Sequence, residues 1–127
     1  MDMAADDFRD LVVESVNARD PDLLSLAVAT LPHTLVDRLG LLSERQPRLM
    51  LTRGEVNAEP VAAVWLPDRN ERYVQVGYLE FDLAGDGARM TAVERPHPDL
   101  VAEAPAGFEV AEWESADLAD SGEGWWV

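Results

Sequence analysis

Apolar residues recur three and four positions apart in the first third of the chain and every second position in the middle, with the change of period near Pro47. Phe8, Leu11, Val12 and Val16 follow the i, i+3, i+4, i+8 spacing of an amphipathic helix. Asp6, Asp7, Asp10, Glu14 and Asn17 lie largely elsewhere on the wheel, and acids in the first turn suit the positive end of the helix dipole. Asp20-Pro21 reads as an N-cap followed by proline at the first helical position, opening a second short helix with Leu24, Ala27, Val28 and Leu31 on one stripe. Pro32 ends or bends it. A third helix over about 32–44 sets Leu35, Val36, Leu39 and Leu42 on one face, with Gly40 inside it.

Beyond Pro47, Leu49 and Leu51 begin a short strand, and Arg53-Gly54-Glu55-Val56-Asn57 reads as loop. Val61–Leu66 is an apolar run between Pro60 and the turn residues Pro67-Asp68-Arg69-Asn70. Residues 73–82 alternate, and Val74, Val76 and Tyr78 are expected to face the helices. Ala84-Gly85-Asp86-Gly87 supplies a turn before a partner strand over 89–94, which completes a β-meander. Asp99–Glu103 reads as one helical turn and Phe108–Trp113 as an edge strand. The fold class expected is α+β: about three N-terminal helices packed on an antiparallel meander of three to five strands, with an acidic C-terminal segment.

At 127 residues the chain can bury one core, and the expected division is a single domain over 1–113 and an acidic tail over 114–127. The last Arg is Arg95. The 32 residues after it hold eight carboxylates, no Arg or Lys, and the closing Gly124-Trp125-Trp126-Val127. Overall, 25 acids against 10 bases give a net charge of −15. Lys, Ile and Cys are absent, and the residue usage is that of GC-rich codons, which also favour Arg and so leave the acid excess unexplained. A solvated self-repelling surface, adaptation to high salt, and complementarity to a basic partner each account for such a charge. All three speak against direct nucleic-acid binding, which needs clustered Lys and Arg, and against an anionic membrane. The acidic start and the lack of a long apolar run suggest a cytoplasmic protein.

Chemistry-bearing patterns are sparse. His33 and His97 each sit beside proline at an element boundary, where surface turn residues are commoner than catalysts. Ser25, His33 and Asp37 could be assembled into a triad on paper, but no nucleophile elbow surrounds a serine. The pairs Asp20/Asp22, Asp82/Asp86 and Glu112/Glu114 lack calcium-loop spacing, and Gly85-Asp86-Gly87 lacks that of a phosphate loop. The expectation is therefore no catalytic residue, no metal site and no cofactor. Trp65, Tyr73, Tyr78 and Phe81 fall on strands and are assigned to packing. Trp113, Trp125 and Trp126, with Glu112 and Glu114, are the candidate partner-binding residues: either an indole folds back on its own domain, or the acidic aromatic segment docks on a basic, grooved partner.

Glu14-Ser-Val-Asn-Ala-Arg-Asp-Pro-Asp-Leu-Leu24 resembles the first helix and turn of NTF2-like (SnoaL-type) proteins. The resemblance implies three helices against a curved antiparallel sheet, covers about eleven residues and carries over no functional residue. The chain departs from it where that family places a strand between the second and third helices, since only Leu31-Pro32 intervenes here. The function expected is a non-enzymatic acidic interaction module of adaptor, chaperone-like or inhibitor/immunity type, binding a basic protein surface. The alternative is an NTF2-like small-ligand binder or modest enzyme with an enclosed apolar pocket.

Overall fold

In a computed structural model, which describes residues 4–20, 33–82, 89–116 and 125–126, the chain is α+β. Helix α1 is Ala5–Asn17 and α2 is His33–Arg45. The strands are β1 Met50–Val56, β2 Glu59–Pro67, β3 Tyr73–Asp82, β4 Arg89–Val93, β5 Leu100–Ala102 and β6 Val110–Ala111, followed by a 3-10 turn at Trp113–Ser115. The helix expected after Asp20 and the turn expected at Ala84–Gly87 lie outside the described residues.

Both helices bury the stripes their spacing marks. Phe8, Val12 and Val16 of α1 and Leu35, Leu39 and Leu42 of α2 join Leu49, Leu51, Ala62, Val64, Val74, Val76 and Leu79 in one core. Each such side chain contributes about 1.5–3 kcal/mol by leaving water. Phe8 also meets Phe81 edge-on, with ring centroids 5.4 Å apart. Helix α1 ends in a reverse turn in which Asp20 N–H bonds to Ser15 O and Arg19 N–H to Val16 O, both at 3.0 Å. That is a Schellman arrangement, with Arg19 at φ 57° where glycine is usual.

Strands β1 to β4 form an antiparallel meander within the order β4-β3-β2-β1-β5, and β6 pairs with β3 in parallel. The expected loop over 53–57 is a strand as far as Val56, and the chain reverses at Asn57-Ala58, whose φ values of 51° and 67° suit the twist of a two-residue hairpin. Arg53 and Glu55 looked like loop residues because they are the exposed alternate positions of the strand, with buried Gly54 between them. Residues 100–102 are strand β5 and not a helical turn, because the backbone of Gly54–Val56 templates them.

A β-bulge overturns part of the facing assignment. Val64 pairs with Gly77 but Trp65 pairs with Gln75, which leaves Val76 without a cross-strand partner. The extra residue reverses the alternation. Val74 and Val76 face the helices as expected, whereas Tyr78 joins Val56 and Val61 on the opposite face and Leu79 takes the helix side. That opposite face is also filled, by Ala63, Trp65 and Tyr73 with Met50, Leu100 and Ala102 against them. Trp65 donates its indole N–H to Thr52 Oγ1 at 2.7 Å, and Tyr73 donates its hydroxyl to Arg48 O at 2.8 Å.

Candidate partner-binding surface

Of the residues expected to bind a partner, the structure places Trp125 in the core. It is 1% exposed and packs within the helix-side cluster. Along one side of β3 the β4 ladder stops at Tyr78 and the β6 ladder at Val74, and Trp125 fills the gap between them. Its indole N–H donates to the carbonyl of the bulged Val76 at 3.1 Å. Gly77 makes room for it: a Cβ there would lie 2.8 Å from the indole and 2.1 Å from Val93 O. Trp126 is half-buried, edge-on to Trp125, with the Arg38 guanidinium 4.4 Å from its ring centroid and also donating to its carbonyl oxygen.

Glu112, Trp113 and Glu114 come together elsewhere. They line a cleft of about 440 Å³ with Arg95, Pro96, His97 and Pro98. Glu112 and Glu114 are exposed, while Trp113 leans its ring on the core. His97 accepts the Asp99 N–H on Nδ1 at 3.0 Å and sits edge-on to Tyr78 at 6.1 Å. Burial pushes the Tyr78 phenol above its ordinary range, with the nearby Glu80 charge adding to it. His33 opens α2.

A second surface was not singled out by the sequence. Along the outer side of β1, Asn17 acts as a substitute strand: its amide donates to Leu51 O and accepts from Leu51 N–H, each at 2.8 Å. Arg19 donates to the Pro47 and Leu49 carbonyls, and Glu103 N–H to Arg53 O at 3.0 Å. These contacts use the β1 edge that would otherwise template another chain. Between α1 and this edge runs a groove of about 410 Å³, lined by Val13, Met50 and the 104–106 segment, by Asp10 and Glu14 of the helix, and by the paired Arg53 and Glu103. A neighbouring hollow of about 460 Å³ shares Arg53 and Glu103 with it and reaches Arg9 and Val101, the latter 75% exposed.

The electrostatics of α1 are unfavourable within the molecule. Asp6, Asp10 and Glu14 recur at i, i+4 and i+8, so they share one side, and like charges at that spacing cost about 0.2–0.5 kcal/mol per pair. Glu14 also lies near the negative end of the helix dipole, and the last turn has no basic residue. Arg9 pairs with Asp10 at 3.0 Å while donating its other arm to Gly54 O. The signal for this surface was present in the spacing of the acids, but the groove beside them depends on the β1 edge and on the 104–106 segment.

The turn between β2 and β3 holds an ion pair whose carboxylate is buried and whose guanidinium is partly exposed. Asp68 accepts N–H groups from Asn70 and Arg72 and the guanidinium of Arg72 at 3.0 Å. Burial pushes its carboxyl up, but the bonds from Arg72 and Asn70 outweigh burial and hold it below the ordinary range. Among the described residues no three His, Asp or Glu side chains are grouped to hold a metal, and no helix is long and apolar enough to cross a membrane. Comparison with family models, curated proteins and solved structures finds no match.

Proposed function

We propose that this protein is a non-enzymatic acidic interaction module, of adaptor, chaperone-like or inhibitor type, that recognises a basic protein surface. The observation that carries the reading is how the chain spends its arginines. Arg19 and Arg38 turn to backbone carbonyls, Arg9 to a carbonyl and Asp10, and Arg48, Arg53 and Arg72 to Glu71, Glu103 and Asp68. At least six of the ten bases are thereby engaged in contacts within the chain, while Asp6, Asp7, Glu14, Asp37, Glu44, Glu55, Glu59, Glu80 and Glu109 stay exposed. The field this leaves outside the protein is strongly negative and steers cationic surfaces toward it.

With Trp125 committed to the core, Glu112, Trp113 and Glu114 are, among the described residues of the C-terminal segment, the ones offered to such a partner. The filling of both sheet faces by side chains supports recognition at the surface over an enclosed pocket. The test is affinity capture from a cell extract at about 50 mM salt, followed by a step to about 500 mM, since exposed charges are screened over roughly 10 Å at 0.1 M. Bound proteins with basic surfaces should elute at the step. Retention through the step, or capture of acidic proteins, would contradict the reading.

A further inference from the structure

We infer that the groove between α1 and the outer side of β1 is the seat for an extended basic segment of a protein partner, with Arg or Lys at every second position. The inference rests on the acidic-module reading above and assigns it a place. Asp10 and Glu14 stand in the groove wall, and Asp6 lies one turn earlier on the same side of the helix. Four residues of α-helix advance about 6 Å. Two residues of extended chain advance roughly 6.6 Å. A strand laid along α1 therefore brings alternate side chains opposite Asp6, Asp10 and Glu14 in turn, and its remaining side chains rest on Val13, Met50 and the 104–106 segment.

Three observations select this occupant. The first is charge: a groove lined by Asp10, Glu14 and the Arg53–Glu103 pair is net negative over apolar surface, which complements a cationic, otherwise apolar strand, and a second copy of a chain carrying −15 would be repelled. The second is the β1 edge, where Asn17 already pairs both backbone groups of Leu51, so recognition falls to side chains and not to strand addition. The third is the unfavourable placement of Glu14. Among the described residues no cation is paired with Asp6 or Glu14, and Glu14 opposes the helix dipole. A local arrangement that works against the fold is expected where function requires it.

The experiment compares two synthetic peptides of equal composition and charge, one alternating Arg and Thr and one with its Arg residues in a block, by calorimetric titration of the full-length protein at low salt. The alternating peptide should bind about tenfold or more tightly than the block peptide. The variant Asp6→Asn/Glu14→Gln should lose that preference while unfolding cooperatively like the native protein. Glu44→Gln, which removes one charge on α2, should keep it. Equal binding of the two peptides, or a preference that survives the double substitution, would overturn the groove assignment. If neither peptide binds, the basic-partner reading itself falls.

Discussion

The outer side of β1 and the gap along β3 present the same physical problem and solve it with different chemistry. Each leaves backbone groups of the sheet without a strand beside them. At β1 the amide of Asn17 reproduces what a neighbouring strand would offer, one donor and one acceptor, both to Leu51. At β3 the indole of Trp125 supplies only a donor, to Val76 O, but it also fills volume in the core. A polar cap therefore closes an edge that faces a solvent-accessible groove, and an aromatic cap closes one that faces the interior. The first region keeps a solvent-accessible groove beside it, while the second has become part of the fold.

The comparison predicts unequal costs. Trp125→Ala should be the most damaging change, destabilising by about 3–5 kcal/mol in chemical denaturation, because it opens a cavity and orphans the Val76 carbonyl together. A loss under about 1 kcal/mol would mean that the indole is not part of the core. Asn17→Ala should cost less, about 1–3 kcal/mol, since it removes two hydrogen bonds at a part-buried edge without emptying the core. The two sites share no partner, so the double variant should lose close to the sum of the separate losses.

The sequence made the helix stripes and the meander legible, because Phe8, Val12, Val16, Leu35, Leu39 and Leu42 and the run over 61–66 carry their own periodicity. It did not reveal β5, three residues long, whose conformation comes from pairing with Gly54–Val56. The phase reversal at Val76 was hidden as well, although an isolated glycine in a strand, here Gly77, is the signal for a bulge or a close approach. The candidate surface was legible in part. Glu112, Trp113 and Glu114 were visible as an acidic aromatic cluster and do line one cleft. Asn17 read as a polar position of the first helix and Arg19 as part of the turn after it, because their partners, Pro47, Leu49 and Leu51, lie about thirty positions away.

Two smaller effects sharpen the contrast between groups buried in the fold and groups at its margin. Asp68 has a depressed carboxyl pKa, so the stability it supplies is present above the unfolded value near 4 and is lost as pH falls through the folded one. Denaturation curves taken from pH 6 downward should show native stability declining below about pH 4, and Asp68→Asn should decline less steeply there. Ala58, held at φ 67° in an exposed hairpin, bears a conformational cost that glycine would not. Ala58→Gly should stabilise by about 0.5–1 kcal/mol, and a destabilised variant would contradict the turn geometry.

Hydrogen exchange of the tryptophan indole N–H protons, followed by NMR in the full-length protein, tests the docking of the C-terminal segment most directly. The account predicts that the Trp125 indole proton exchanges with an opening free energy close to that of global unfolding, while that of Trp126, stacked under Arg38 at the surface, exchanges faster. Exchange of the Trp125 proton at the rate of a free indole would show that the segment leaves the sheet, and with it that the gap in β3 stands open.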